Sequence, residues 1–542
     1  MADQLSPHNN LRLFSYCLLA FLLGCFFRLK DFSIQILADD EWHAINKLLG
    51  DDFVGIFMSF GHADHSIPLT LFYAFLANLV PLSENLVRAP LLIAGLAAIL
   101  AIPWMVRSRL SVSESGWLAL LLALSPILIY FSRTARPYAL TVLLAFAALM
   151  IFFLWFRERK RYQAVLYILF ATLCAWLQPI TLTILVAPFV YFGAGALYRA
   201  VATRDVRNLV SLFFLGLGLL LFLGLSIGPP LVNDYASLAV KSGVDNVSFD
   251  SLYVSLQLLA GSSHTIFIVV WLALVLTGLY RLLARDPLFA GYLLFALLFS
   301  VLFIVLSRAA WIHHPLVTAR YALPVLPILL VWMAIGLSEV IQRIACGRGW
   351  VVFLASIPSV IALYLSGPLP AQYHQPINQF TGHMAYQFDY DWHRNIYNQA
   401  LDNQPLSAFY QQLAQQQPRT YHIVLVPWHM EWHWNRWYLD QAVHRQQVSA
   451  GFLSGFCVEK KYGEYHADTT KVDLKHVRHL SEISDSVGLE DWTDVDFLVY
   501  HKRKSREDLD VEIPAECLER IRTVFGESYY EDDILVAFKV EQ

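Results

Sequence analysis

The sequence predicts a polytopic α-helical membrane protein with about eleven transmembrane helices and a C-terminal soluble α/β domain. Hydrophobic residues make up 57% of the 542-residue chain and charged residues only 15%, a balance typical of many membrane helices rather than one large soluble core. Apolar runs recur as far as residue 366, and hydropathy falls at Gly367-Pro368-Leu369-Pro370. We therefore predict a membrane domain over residues 1–366 and a soluble domain over residues 367–542.

Apolar runs that are long enough to cross a bilayer, or nearly so, define the predicted helices. They lie near residues 11–27, 89–106, 117–131, 138–156, 163–178, 181–198, 208–228, 265–280, 288–306, 322–338 and 350–366. A shorter run, from Ile67 to Val80, is flanked by prolines and indicates an interfacial or re-entrant helix.

The distribution of basic residues orients these helices in the membrane. With the N-terminus in the cytoplasm, five short cytoplasmic loops carry 13 lysines and arginines, whereas the outer loops after the first carry five. The same register places the first loop, residues 28–88, and the soluble domain outside the cytoplasm. We therefore expect a multi-pass protein of the bacterial inner membrane whose C-terminal domain is periplasmic.

Strand-like and helical segments alternate in the soluble domain, a pattern that favours a small α/β fold. The strand-like segments are 421–427, 495–501 and 534–540, and the helical stretches lie near 398–415 and 514–524. Cys457 and Cys517 lie in this domain and could form a disulfide in an oxidising compartment. The domain has no glycine-rich nucleotide-binding motif, and the net charge of -4 gives no indication of a nucleic-acid partner.

Three consecutive carboxylates, Asp39, Asp40 and Glu41, follow the first apolar run in the first outer loop. One interpretation is that they are solvated loop residues. The other is that they line a cavity at the membrane surface and carry out acid–base or metal chemistry.

Four arginines beside helix ends oppose the expected charge bias because they lie in outer loops. They are Arg133, Arg136, Arg308 and Arg320. They could extend toward lipid headgroups, or they could form a cluster that binds a phosphate through bidentate guanidinium groups.

Histidines in two outer loops have the spacing of ligands to a divalent metal ion. His62 and His65 flank Asp64 in the first loop, and His313 and His314 lie in the last short outer loop. Imidazoles at an interface are often hydrogen-bonded loop residues instead, so metal binding is one of two open interpretations.

Several motifs occur in a fixed order. They are Asp40-Glu41, Asp64-His65-Ser66-Ile67-Pro68-Leu69, Ser132-Arg133-Thr134-Ala135-Arg136-Pro137-Tyr138-Ala139-Leu140 and Arg320-Tyr321-Ala322-Leu323-Pro324. Together they resemble motifs of the GT-C superfamily of membrane glycosyltransferases. The closer resemblance is to bacterial family-39-like enzymes, which are relatives of the protein O-mannosyltransferases and of the lipid A aminoarabinose transferase.

The resemblance implies a polyprenyl-phosphate-linked sugar donor and an inverting transfer outside the cytoplasm. Asp40 matches the position of the catalytic base, with Asp39 as the rival, and Glu41 matches the second acid. Relatives carry other charged residues near the position of Asp64-His65, so the resemblance leaves metal dependence open.

Bond breaking leaves negative charge on the lipid phosphate, which fixed cations and hydrogen-bond donors can stabilise. We expect the phosphate to contact the following residues: Arg133, Arg136, Tyr138, Arg308, Arg320 and Tyr321. We therefore predict an integral-membrane glycosyltransferase that moves a sugar from a polyprenyl phosphate to a glycan, lipid or protein acceptor on the extracytoplasmic face.

Two alternatives belong to other functional classes. A lipid-glycan transporter or flippase would place charged residues along the middle of its helices. A non-catalytic, sugar-binding assembly factor would work through the C-terminal domain and would not need the loop around Asp40.

Overall fold

The structure is a computed structural model that describes residues 7–30, 32–33, 36–37, 39–61, 65–80, 82–262, 264–345, 348, 351, 356–362, 406–427, 437–453, 457, 480–482, 492–502 and 516–540. The chain divides into two compact units. The helical unit contains Met1–Lys30, Met58–Pro68 and Ala89–Pro370, and the α/β unit contains Asp31–Phe57, Leu69–Arg88 and Ala371–Gln542. Two parts of the predicted first outer loop therefore belong to the same unit as the C-terminal sheet.

Helices dominate the described residues up to 362. They are α1 Pro7–Leu29, α2 Trp42–Gly50, α3 Phe53–Met58, α4 Ile67–Ala77, α5 Glu84–Val106, α6 Val112–Leu124, α7 Pro126–Ser132, α8 Tyr138–Glu158, α9 Arg161–Leu177, α10 Leu182–Thr203, α11 Arg207–Ser226, α12 Gly228–Asn233, α13 Tyr235–Val240, α14 Phe249–Ala260, α15 Thr265–Arg285, α16 Pro287–Ser307, α17 Pro315–Ala322 and α18 Leu326–Ile344. Residues 356–362 are also helical. Further along the chain come α19 Ala408–Ala414, α20 Trp437–His444 and α21 Cys517–Phe525.

Among the described residues, seven helical segments are long and apolar enough to cross a membrane. They are Glu84–Val106, Tyr138–Glu158, Pro179–Thr203, Arg207–Ser226, Thr265–Arg285, Pro287–Ser307 and Pro315–Ile344. The bent pair α6 and α7 makes an eighth candidate. A polytopic helical membrane protein is therefore confirmed.

The remaining members of the predicted eleven are shorter or lie partly outside the described residues. The run 11–27 corresponds to the apolar stretch Leu13–Leu29 within α1, and the run 163–178 corresponds to α9, Arg161–Leu177. Both stretches are shorter than the other spans. Within the run 350–366, the structure describes only residue 351 and residues 356–362.

The predicted run 117–131 is not one straight helix, because α6 and α7 are bent by 58° relative to each other. Pro126 has no backbone N–H and cannot continue the hydrogen bonding of α6. Unpaired carbonyls in an apolar interior are costly, and Arg28 pairs with two of them. Its Nη2 donates to the oxygen of Leu122 at 3.1 Å and its Nη1 to that of Ala123 at 3.0 Å.

Helices α15 and α18 approach each other at two glycines. A Cβ atom on Gly278 would lie 1.7 Å from the carbonyl oxygen of Trp332, and one on Gly336 would lie 2.0 Å from that of Leu274. Glycine allows the two backbones to pack this closely, which is how membrane helices gain van der Waals contact.

A mixed six-stranded sheet forms the centre of the α/β unit. Its strands are β1 His422–Val426, β2 Gln447–Phe452, β3 Leu480–Glu482, β4 Phe497–His501, β5 Tyr530–Glu531 and β6 Leu535–Lys539. They lie in the order β3-β2-β1-β4-β6-β5. The first four are parallel, whereas β6 runs antiparallel to β4 and β5 antiparallel to β6. The predicted strands correspond to β1, β4 and β6, so the soluble α/β domain is confirmed.

One face of the sheet carries a hydrophobic core that includes α21. The strands contribute Val424, Val426, Leu498, Tyr500, Val536 and Phe538, and α21 contributes Ile521. Cys457 and Cys517 belong to the same buried cluster and form a disulfide bond, as the sequence allowed.

We expect Gly278→Leu to destabilise the helical unit, because the new side chain would collide with the backbone of α18. Overpacking of a core costs about 1–3 kcal/mol, and backbone cannot move aside as a side chain can. Thermal unfolding of the detergent-purified protein measures the effect. Gly224→Leu in α11 is the matched control, since nothing lies within 4 Å of a Cβ atom there. An equal loss of thermal stability in both variants would contradict the close contact between α15 and α18.

Candidate active site

The acidic stretch forms a single 3-10 turn, Asp39–Glu41, immediately before α2. Glu41 is buried, and Arg88 binds it through two hydrogen bonds, Nε to Oε1 at 2.7 Å and Nη2 to Oε2 at 2.5 Å. The side chain of Glu41 is 2% exposed and that of Arg88 is 1% exposed. A buried carboxylate in a bidentate pair with an arginine is held in place, so Glu41 fixes the turn.

Asp40 has a different environment from Glu41. Its side chain is 22% exposed, and its Oδ1 lies 3.3 Å from Nε2 of His43, one helical turn further along. A carboxylate that is partly open to solvent can reach a substrate proton, as a general base must. The side chain of Asp39 lies outside the described part of the structure.

Arg136 and Arg320 lie around the same tyrosine ring. Their guanidinium carbons are 6.0 Å and 5.7 Å from the centre of the Tyr138 ring, and Arg320 is also 5.7 Å from the ring of Tyr321. Tyr138 begins α8 and Arg320 lies in α17, so elements distant in sequence bring four predicted phosphate ligands together. Two guanidinium groups with phenol hydroxyls beside them can hold a phosphate.

The turn that carries Arg136 is tight and well anchored. The N–H of Arg136 donates to the oxygen of Thr134 at 2.7 Å, and Pro137 caps α8 with a φ of -68°, the value that its ring imposes. Nη1 of Arg133 donates to the carbonyl oxygens of Arg28 and Lys30 at 2.8 Å and 2.6 Å. Arg133 therefore attaches this turn to the end of α1.

Arg308 contacts a different residue, Asp245. It ends α16 in the left-handed region with a φ of 46°, and its Nε donates to the backbone oxygen of Asp245 at 3.3 Å. The carboxylate of Asp245 pairs with Nδ1 of His313. Burial alone would raise the pKa of Asp245, but its hydrogen bonds with His313 and with the Asn246 N–H lower that pKa below its ordinary value.

The predicted metal ligands are not assembled within the described residues, which contain no group of three or more His, Cys, Asp or Glu that could hold a metal ion. His313 pairs with Asp245, and His314 is buried at the start of α17. His65 is described, whereas His62 and Asp64 lie outside the described residues.

Asp234, which the sequence did not single out, holds the segment that precedes the histidine motif. Its Oδ2 accepts hydrogen bonds from Ser59 Oγ at 2.7 Å, Phe60 N at 2.8 Å and Gly61 N at 3.2 Å. Burial alone would raise the pKa of Asp234, but these bonds and one from Ser237 lower it below its ordinary value. Asp234 is therefore an ionised anchor for residues 59–61.

Arg28 and Arg88 were also missed by the sequence analysis. Each lies at the boundary of an apolar run, where a basic residue is usually solvated, yet both are 1% exposed. The unexplained signal was their position in segments predicted to lie outside the cytoplasm, where the charge bias disfavours arginine.

We expect Arg88→Met to lower stability strongly, because it leaves the charge of Glu41 buried and uncompensated. Breaking a buried pair from one side costs about 3–5 kcal/mol. The double variant Glu41→Gln with Arg88→Met should recover a large part of that loss. Thermal unfolding of the wild type, the two single variants and the double variant measures the coupling.

Arg343→Met is the control for removing an arginine, since Arg343 is 72% exposed in its pair with Glu339. An exposed pair contributes only about 0–1 kcal/mol. If the losses of stability in the single Glu41 and Arg88 variants simply add up in the double variant, that result would contradict the buried pair.

Solved structures similar to this chain include those of two membrane proteins. ArnT from Cupriavidus metallidurans bound to undecaprenyl phosphate matches 97% of this chain and 98% of its own, at 12% identity and a TM-score of 0.45. The oligosaccharyltransferase of Archaeoglobus fulgidus in the apo form matches 90% of this chain and 69% of its own, at 12% identity and a TM-score of 0.46. The same archaeal enzyme in complex with an inhibitory peptide and a dolichol-phosphate gives 13% identity and a TM-score of 0.41, with the same coverage.

No protein-family model matches the chain, and no curated protein sequence matches it. ArnT and the oligosaccharyltransferase are glycosyltransferases of the GT-C superfamily, the superfamily whose motifs this sequence resembles.

Proposed function

We propose that the protein is an integral-membrane glycosyltransferase. It moves a sugar from a polyprenyl-phosphate donor to a glycan, lipid or protein acceptor on the extracytoplasmic face. The observation that carries this proposal is the grouping of Arg136 and Arg320 around Tyr138, with Tyr321 beside them.

This grouping suits the phosphate of a lipid-linked donor. A phosphate ester that leaves a sugar gains negative charge, and guanidinium groups bind its oxygens bidentately. The phenol hydroxyls of Tyr138 and Tyr321 can donate further hydrogen bonds to the same group. Since Arg320 lies near the start of the long apolar segment Pro315–Ile344, we assign the phosphate to the end of a membrane span, where a lipid headgroup lies.

The proposed reaction is a single displacement. Asp40 takes the proton of the acceptor hydroxyl, and the acceptor oxygen forms a bond to the anomeric carbon of the sugar. The bond between that carbon and the phosphate oxygen breaks, and its electron pair stays on the phosphate. Attack from the face opposite the leaving group inverts the configuration at the anomeric carbon.

The three acids have separate roles in this proposal. Asp40 is the base because its carboxylate is partly exposed, and His43 orients it from the first turn of α2. Glu41 fixes the turn through Arg88. Asp39 stays the rival base.

Two predicted phosphate ligands receive other roles. Arg133 supports the turn of Arg136, because its Nη1 is bound to two backbone oxygens of α1. Arg308 holds the backbone of Asp245. A divalent ion would find suitable imidazole and carboxylate donors at His62, Asp64 and His65, and the proposed displacement uses protein groups alone.

The proposed orientation places the α/β domain outside the cytoplasm of a bacterial inner membrane. The disulfide between Cys457 and Cys517 supports this side, because structural disulfides persist in oxidising compartments and are rare in the cytoplasm. The bias of basic residues toward the opposite loops points the same way.

We expect Asp40→Asn to lower the rate of sugar transfer by a factor of about 10² or more, because the amide cannot accept the proton. A strain that lacks the protein should be complemented with the wild type and with each variant. Mass spectrometry of its lipid-linked sugars and surface glycans then measures transfer. Wild-type glycans with Asp40→Asn would contradict the assignment of the base.

Arg136→Ala and Arg320→Ala should weaken binding of undecaprenyl phosphate to the purified protein by about tenfold each, since a charged hydrogen bond contributes about 1.5–3 kcal/mol. Arg343→Ala is the matched control, because Arg343 lies at the other end of the helical segment that carries Arg320 and is exposed. Equal binding by all four proteins would remove the phosphate site from the proposal.

We expect the peptides of Cys457 and Cys517 to be linked in a non-reducing digest of protein from thiol-blocked cells. In Cys517→Ser, the remaining Cys457 should react with an impermeant maleimide in spheroplasts after mild denaturation of the outer domain. Reduced cysteines in the wild type, or labelling of Cys457 only after the membrane is permeabilised, would place the domain in the cytoplasm.

A further inference from the structure

We propose that Gln441, on α20 of the C-terminal domain, is a positioning residue for the acidic turn that carries Asp40. This inference rests on the proposed function, because Asp40 is the proposed base. It gives the α/β domain a part in the reaction. The contacts that carry it all lie within the α/β unit.

The first half of the connection runs from the acidic turn to Ile36. Arg88 binds both carboxylate oxygens of Glu41, and its Nη2 also donates to the backbone oxygen of Ile36 at 2.9 Å. Nε1 of Trp42 donates to the oxygen of Leu37 at 3.0 Å. The backbone of residues 36–37 is therefore bound to the turn and to the first residue of α2.

The second half runs from Ile36 into the C-terminal domain. The N–H of Ile36 donates to Oε1 of Gln441 at 2.6 Å. Nε2 of Gln441 donates to the carbonyl oxygen of Gln446 at 3.1 Å. Both ends of the Gln441 amide are used, and the side chain is 3% exposed.

Gln446 connects the start of β2 to its neighbours. Its Oε1 accepts from the N–H of Tyr421 at 3.0 Å, and its Nε2 donates to the oxygens of Leu413 and Gln417 at 3.1 Å each. Tyr421 precedes β1 and Leu413 lies in α19. Gln441 therefore connects Ile36 to the residues that immediately precede the parallel strands β1 and β2.

A buried glutamine in this position has a specific physical effect. If its amide is removed, the N–H of Ile36 and the oxygen of Gln446 each lose this hydrogen bond at a buried position, which is unfavourable. The segment would relax, and the turn from Asp39 to Glu41 would move with it. A displacement of about 1 Å at a catalytic group can lower a rate by a factor of about 10².

The test compares Gln441→Leu with Gln412→Leu. Leucine fills a similar volume at residue 441 but makes neither hydrogen bond, whereas Gln412 is an exposed residue of α19. The first measurement is hydrogen exchange of the peptide that contains Ile36 in the full-length protein. We expect faster exchange there in Gln441→Leu and wild-type exchange in Gln412→Leu.

The second measurement is transfer kinetics with the polyprenyl-phosphate sugar that the wild type uses. We expect Gln441→Leu to lower kcat by about tenfold and to leave the donor KM unchanged, because the proposed phosphate ligands lie in other elements. Formation of the Cys457–Cys517 disulfide reports that the domain has folded. If Gln441→Leu is not recovered folded, Gln441→Asn keeps the amide, shortens its reach by one methylene and is expected to give the same result.

The outcomes separate this inference from the proposed function. Unchanged exchange at Ile36 in the folded Gln441 variant would overturn the inference, whatever the protein catalyses. Faster exchange with wild-type kcat would also overturn it. If exchange at Ile36 is faster in Gln441→Leu but the wild-type protein transfers no sugar, the contact is retained, whereas the proposed reaction and the positioning role are overturned.

Discussion

The helical unit depends on the hydrogen bonds of two buried arginines, which connect α1 with the bent pair α6 and α7 in both directions. Arg28 of α1 donates to the carbonyls of Leu122 and Ala123 at the end of α6, and Arg133, after α7, donates to carbonyls at the end of α1. Each helix end would otherwise leave backbone oxygens in an apolar interior, where no water replaces the lost bonds. These hydrogen bonds therefore stabilise the break at Pro126, and α7, which follows the break, leads into the turn that carries Arg136.

Residues of one type have different roles because their surroundings differ. Glu41 is buried in a bidentate pair, whereas its neighbour Asp40 lies 3.3 Å from His43 and is partly exposed. In the same way, Arg133 is bound to backbone oxygens while Arg136 lies beside an aromatic ring. In each pair, one residue fixes the backbone, and the fixed backbone holds its neighbour in a defined place. This division is what a preorganised site requires.

The sequence predicted those features that depend on local patterns. Apolar runs marked most spans and the strands β1, β4 and β6, and the Arg-Pro-Tyr turn marked the neighbourhood of Arg136. It did not predict the bend, although Pro126 was visible, since a proline in a membrane helix does not by itself decide between a kink and a break. Nor did it predict β2, whose sequence Gln447–Phe452 contains serine, glycine and glutamine rather than a continuous apolar run.

The buried pairs were unpredictable for another reason. Glu41 and Arg88 are 47 residues apart, and Ile36 and Gln441 are 405 apart, so no spacing rule connects them. The acidic turn belongs to the α/β unit, and the arginine cluster belongs to the helical unit. Each of these groups is fixed within its own unit, and a reactive group must be held in a defined place to have the entropy advantage of a prearranged site. The contacts between Glu41, Arg88, Ile36 and Gln441 hold the acidic turn in place. The hydrogen bonds of Arg28 and Arg133 at the end of α1 do the same for the turn that carries Arg136.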